Sequence, residues 1–163
     1  MNSSLFFKQA LLPRAQRAIA GLEALQPLAL LAARLFVAQA FWRSGMTKLR
    51  DWETTLALFA NEYQVPLLPP ELAAVLGTGG ELLLPLLLAA GLFGRFAAAG
   101  LSVINAVAVL SLAEIAPAAL QQHQFWGSLL IGLLLWGPGR WSLDALWLAR
   151  LPWLRPGAAA PLR

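Results

Sequence analysis

The sequence contains no cysteine, and its 163 residues include only one histidine and two methionines. The absence of cysteine excludes disulfides, thiolate metal sites, iron–sulfur ligation and a dithiol redox relay within this chain. Bis-histidine haem ligation or a multi-histidine metal site would need a second chain, because this one supplies a single imidazole. We therefore expect no metal site in the chain.

Charged residues are also scarce. They make up 12% of the chain, whereas hydrophobic residues make up 59% and the mean hydropathy is +0.65. A soluble domain usually has about a quarter charged residues. Because so few charges cannot cover a water-soluble globule, we predict that a lipid bilayer surrounds much of the protein. The formal charge of +4 does not indicate nucleic-acid binding, since the basic residues are scattered around apolar runs.

Four apolar segments predict the fold class: an all-α membrane protein with a four-transmembrane-helix bundle and flanking interfacial amphipathic helices. The first span begins near Pro27, the second at Glu71, the third at the turn of Gly94, and the fourth near Pro117. We divide the chain into an interfacial N-terminal segment (1–26), the four-helix domain (27–140), and an interfacial helix with a disordered tail (141–163). In the loop 46–70, apolar residues at helical spacing predict an amphipathic helix on the membrane: Trp52, Leu56, Phe59, Ala60 and Tyr63.

The basic residues outside the spans are divided unequally between the two sides of this topology. One side carries Lys8, Arg14, Arg17, Arg95, Arg140, Arg150, Arg155 and Arg163, and the other carries Arg43, Lys48 and Arg50. Because cytoplasmic loops hold the excess of lysine and arginine, we predict a multi-pass protein of the bacterial inner membrane with both termini in the cytoplasm.

Two opposite charges lie inside predicted spans, Arg34 in the first and Glu81 near the middle of the second. A charge at the bilayer centre costs at least about 2.5–3.5 kcal/mol, so each should face the bundle interior. One interpretation is a buried Arg34–Glu81 pair, or a protonated Glu81 alone, that lines a ligand site or a proton path. The other is that Arg34 extends to the headgroups while Glu81 caps a helix kink near Pro85.

Two further polar residues are candidates for the same buried site, and two more are candidates at its outer mouth. Asn105 lies on the third span, where interhelical hydrogen bonding is its expected role, and His123 lies near the outer end of the fourth. For this histidine the alternatives are a structural role and a role in ligand binding or proton transfer. Ser44 and Lys48 lie at the outer mouth of the first helix, where they would hold an anion or face solvent.

Three strings resemble the DoxX family: ARLFVAQAFWRSGMTKL, ELLLPLLLAAGLFGRFAAAGL and GPGRWSLDAL. The resemblance covers roughly residues 28–150. The positions of interest that it carries are Arg34, Ser44, Gly45, Lys48, Glu81, Arg95 and Asp144, and Pro85 stands where the family usually has a small residue. The strings EYQVPLLPPELAA, NAVAV and QQHQFWG look like a narrower branch, encoded beside enzymes that build metal-binding modified peptides.

The resemblance implies a membrane subunit of a redox or metal and oxidative-stress system. Quinone is the cofactor it suggests, and soluble redox or peptide-modifying proteins are the partners, with homo-oligomerisation open. An export accessory for a modified peptide, a small transporter, or a structural anchor for soluble partners are the alternatives. Four helices without a large soluble domain favour an accessory subunit over an independent enzyme.

Overall fold

The computed structural model describes residues 12–150, and within that range the chain is helical with no strand. The predicted features of residues 1–11, Trp153 and the C-terminal tail lie outside the described residues. The helices are α1 (Leu12–Arg50), α2 (Trp52–Asn61), α3 (Pro70–Ala90), α4 (Gly94–Leu110), α5 (Pro117–Trp136) and α6 (Leu143–Arg150).

Helix α1 is longer than a bilayer needs. Its 39 residues extend about 58 Å at 1.5 Å per residue, whereas a hydrocarbon core is about 30 Å thick. Pro27, where the sequence places the start of the first span, lies inside this helix rather than at its beginning. The apolar stretch therefore forms the second part of a helix whose first part, before Pro27, is more polar.

Two of the four expected spans, α1 and α3, are long and apolar enough to cross a membrane. Helix α4 is apolar but has only 17 residues. Helix α5 has 20 residues, but its first half carries polar side chains, including Gln121, Gln122 and His123. The described residues therefore contain two helices with the length and hydropathy of a membrane span, and the four-span bundle remains a prediction.

The core lies where α1, α3, α4 and α5 meet. It is built from apolar side chains of all four helices: Val37, Phe41, Leu88, Ala97, Ala98, Leu101, Leu130 and Leu133. Burying a large apolar side chain contributes about 1.5–3 kcal/mol in water, but in lipid close packing is the main stabilising term. The many alanines in α4 suit such close helix contacts.

Helix α2 packs on the bundle through the apolar face that the sequence identifies. Phe59 is buried against Ala73 and Ala74 of α3. The corner before α2 is fixed by Asp51, whose carboxylate accepts from the backbone N–H of Thr54 at 3.0 Å. Hydrogen bonding to Thr54 lowers the pKa of Asp51, so the cap is charged at neutral pH.

Candidate functional site

Helices α1 and α3 approach each other closely at Gly45, and this contact fixes the axial position of one helix relative to the other. A Cβ added to Gly45 would lie 3.0 Å from the side chain of Leu82 and 3.1 Å from Cβ of Glu81. Only glycine lets the helices come this close without a shift. Gly45 is five residues from the end of α1, so Glu81 lies about 8 Å from that end.

We call this end of the bundle, where α1 ends at Arg50 and α3 begins at Pro70, the Lys48 end. Lys48 forms a salt bridge with Glu81, and its Nζ lies 2.7 Å and 2.5 Å from the two carboxylate oxygens. Nζ also donates to Oγ of Ser44, one helical turn earlier, at 3.0 Å. The side chain of Glu81 is 7% exposed and that of Lys48 is 20% exposed.

A second polar pair joins α4 to α5 at the same end. Nδ2 of Asn105 donates to the backbone carbonyl of His123 at 3.0 Å, and Oδ1 of Asn105 lies 2.8 Å from Nδ1 of His123. Since Oδ1 is an acceptor, Nδ1 carries the proton of the neutral ring and Nε2 is left as an acceptor. The interhelical role predicted for Asn105 is confirmed.

Both pairs border one cavity of about 350 Å³. Ser44, Lys48, Glu81 and His123 line it, and so does Tyr63 from the loop after α2. The backbone N–H of Gln64 in this loop donates a hydrogen bond to the backbone carbonyl of Ser111 at 2.8 Å, which holds the loop against the end of α4. The remaining walls are largely apolar: Phe59, Val65, Leu68, Leu76, Val103, Ile104, Val107 and Leu112. An apolar cavity with a few convergent polar groups is typical of a small-molecule site.

Tyr63 is a cavity residue that the sequence did not single out as functional. Its ring packs edge-on against Phe59, with centroids 5.0 Å apart. Burial raises the pKa of the Tyr63 hydroxyl, and the negative charges of Glu81 and Glu62 raise it further. The hydroxyl is therefore protonated at neutral pH and can donate a hydrogen bond. The only sequence signal was its place on the apolar face predicted for an amphipathic helix in the loop 46–70, but the helix ends before it, at Asn61.

Arg34 is not part of this site, so the expected Arg34–Glu81 pair does not form in the described structure. Its side chain is 1% exposed, and Nη2 donates to the backbone carbonyl of Trp141 before α6. Gly45 is level with Glu81, and Arg34 is eleven residues earlier on α1, about 16 Å away along the helix. The alternative of extension to the headgroups is also wrong, because the guanidinium is buried.

Arg34 instead helps to hold α6 at the opposite end of the bundle, which we call the Arg34 end. Here Asp144 of α6 accepts from the backbone N–H groups of Phe93 and Gly94, at 2.8 Å and 2.7 Å. These N–H groups lie at the start of α4. The N-cap residue of that helix, Phe93, makes no side-chain capping hydrogen bond. The N–H of Asp144 in turn donates to the carbonyl of Gly91 at 2.9 Å.

The family model for DoxX matches residues 29–114, just over half of the chain. The chain belongs to the DoxX family. It is therefore an all-α membrane protein, as the sequence predicts. The comparison with curated proteins found no match, and neither did the comparison with solved structures.

The DoxX match covers most of the cavity's polar residues but not all. Ser44, Lys48, Tyr63 and Glu81 lie inside the matched range, whereas His123 lies beyond it. The contacts explain the string SG-x-x-K in this DoxX protein: Lys48 holds the glutamate, Ser44 accepts a hydrogen bond from Lys48, and Gly45 lets α3 approach. Arg34 and Asp144, positions that the resemblance carried, stabilise the other end.

Proposed function

We propose that this DoxX protein is a membrane subunit of a redox system and that it binds a quinone in the cavity at the Lys48 end. In this proposal, α1, α3, α4 and α5 all cross the bacterial inner membrane and both termini are cytoplasmic. The observation that carries the proposal is the convergence of Lys48, Glu81 and His123 on one otherwise apolar cavity.

The polar groups suit the head of a quinone. A quinone carbonyl needs hydrogen-bond donors, which the Lys48 ammonium and the Tyr63 hydroxyl supply. The hydroxyl of a reduced quinone needs an acceptor, which Glu81 or Nε2 of His123 supplies. A bound quinone would provide the two-electron chemistry, which the side chains of this cysteine-free chain do not offer.

The residues themselves would bind, orient and exchange protons. Lys48 holds the carboxylate of Glu81 at the cavity wall, where its oxygens can accept a hydrogen bond from a ligand. Asn105 keeps the proton of His123 on Nδ1, which leaves Nε2 as the ring's acceptor. The apolar walls exclude water and accept the ring and the first part of an isoprenoid tail.

The test is a binding titration of the full-length protein in lipid nanodiscs. A short-tail ubiquinone analogue is added, and tryptophan fluorescence is followed. Trp126 is suited to report on the site because its ring lies 5.1 Å from that of His123. We expect saturable quenching by the analogue.

Two conservative variants locate the site. Glu81→Gln and His123→Phe should each weaken binding of the reduced form of the analogue about tenfold, because each weakens or removes the acceptor of one quinol hydroxyl, a hydrogen bond worth about 1–1.5 kcal/mol. Arg43→Gln is the matched control, since Arg43 is exposed at the same end and does not line the cavity. Absence of saturable binding, or equal affinity in folded Glu81→Gln and His123→Phe proteins, would overturn the proposal.

The alternatives predict different results in a second experiment. Purification in mild detergent, followed by mass spectrometry of the bound molecules, should recover quinone with the wild type. A bound modified peptide without quinone would favour an export accessory. Co-purification of a soluble protein, with no bound small molecule, would favour a structural anchor for soluble partners.

A further inference from the structure

A second, larger concavity lies at the Arg34 end of the bundle. It is an open groove of about 900 Å³ between α1, the turn that joins α3 to α4, the linker before α6, and α6 itself. Its walls are mainly apolar and aromatic: Leu30, Leu92, Phe96, Trp136 and Trp147. Phe96, Trp136 and Trp147 are each at least 65% exposed, so these rings are not used by the core.

The groove is preformed because the linker before α6 is pinned on both sides. Gly137 and Gly139 have φ values of +82° and +84°, which side-chain-bearing residues rarely adopt. Gly139 packs on Leu30, since a Cβ there would lie 2.9 Å from that side chain. The buried Arg34 holds the carbonyl of Trp141. The shape of the groove therefore belongs to the folded bundle and does not need a ligand to form.

The groove also carries an excess of positive charge. Arg95 and Arg140 line it, and both are exposed. One Nη of Arg95 donates to the carbonyl of Leu135 at 3.2 Å, which holds the guanidinium beside the linker. Asp144 is the one carboxylate among the described lining residues, and both its oxygens already accept backbone N–H groups. The single charge of Asp144 offsets only one of the two arginines, so the groove keeps a net positive charge.

We propose that this groove binds one anionic phospholipid, with its phosphate at Arg95 and Arg140 and an acyl chain along the aromatic wall. Guanidinium groups bind phosphate oxygens well, and tryptophan side chains favour the headgroup level of a bilayer. A small soluble phosphate would use the two arginines but would leave the exposed Phe96 and Trp136 uncovered. A phospholipid satisfies both the charge and the apolar wall.

The test is native mass spectrometry of the full-length protein after exchange into mixed micelles with equal amounts of phosphatidylglycerol and phosphatidylcholine. The wild type should retain phosphatidylglycerol preferentially. Each arginine near a lipid surface contributes about a fivefold change, so Arg95→Gln with Arg140→Gln should lower retention about 25-fold. The double variant Arg43→Gln with Arg50→Gln, which changes two arginines at the Lys48 end, should keep the wild-type preference.

Single variants and a soluble competitor complete the test. Arg140→Gln alone should weaken retention without affecting folding, because no hydrogen bond or salt bridge of Arg140 occurs among the described residues. An excess of glycerol 3-phosphate should not displace the lipid. Equal retention of the two lipids, equal loss in the Lys48-end control, or displacement by glycerol 3-phosphate would each overturn the proposal.

Discussion

Breaking the Lys48–Glu81 salt bridge should have unequal effects, depending on which partner is removed. Lys48→Met leaves Glu81 with a carboxylate that is only 7% exposed, whereas Glu81→Gln leaves a lysine that is 20% exposed and still contacts Ser44. Both side chains line the cavity, but the free lysine has more contact with water there than the free glutamate has. Lys48→Met should therefore be the more destabilising change.

The magnitudes follow from the geometry. At 2.7 Å and an effective dielectric constant near 20, the gross attraction is about 6 kcal/mol, most of which offsets desolvation. Removing one partner of a buried pair costs about 3–5 kcal/mol because the other charge is left without a partner. We expect about 3–4 kcal/mol for Lys48→Met and about 1–2 kcal/mol for Glu81→Gln, since the lysine is partly solvated.

Thermal unfolding in mild detergent, followed by tryptophan fluorescence, measures these costs. A loss of 1 kcal/mol lowers Tm by roughly 2–4 °C in a chain of this size, so Lys48→Met should lower it by roughly 6–16 °C. The double variant Lys48→Met with Glu81→Gln should be more stable than Lys48→Met alone, because no unpaired charge remains. Additive losses, or a Lys48→Met protein within about 1 °C of the wild type, would refute this account of the pair.

Three further predictions concern other contacts. Gly91→Ala should cost at least about 2 kcal/mol in a thermal unfolding assay, because φ is +66° and the new Cβ would overlap the guanidinium of Arg34; a change below 1 kcal/mol would contradict this packing. Asp144→Ala removes two charge-assisted bonds that cap α4, so it should cost about 2–3 kcal/mol and speed release of α6 by trypsin; unchanged digestion would contradict the role. Asn105→Leu should weaken quinone binding about fivefold while lowering Tm only slightly, because His123 loses the bonds that orient it; wild-type affinity would show that this orientation is unnecessary.

The sequence by itself determined the class of the protein. Too few charges and long apolar runs predicted an all-α membrane protein, and three strings indicated the DoxX family, which the family match confirms. It also predicted which faces are buried. Arg34 of α1 and Glu81 of α3 are buried as expected of charges inside spans, since the cost of exposing a charge to lipid is independent of which partner it finds.

Only the tertiary structure decided the partners. Sequence reasoning placed Arg34 and Glu81 at compatible depths, but the contact of Gly45 with Leu82 brings Glu81 to the level of Lys48 instead. The axial position of one helix against another depends on close packing along its whole length and on the connecting segments. Here α2 lies between α1 and α3 in the chain, and its Phe59 packs on Ala73 and Ala74 of α3. Composition and hydrophobic periodicity contain no information on this axial position, so the cavity and the pairing of Lys48 with Glu81 could be found only in three dimensions.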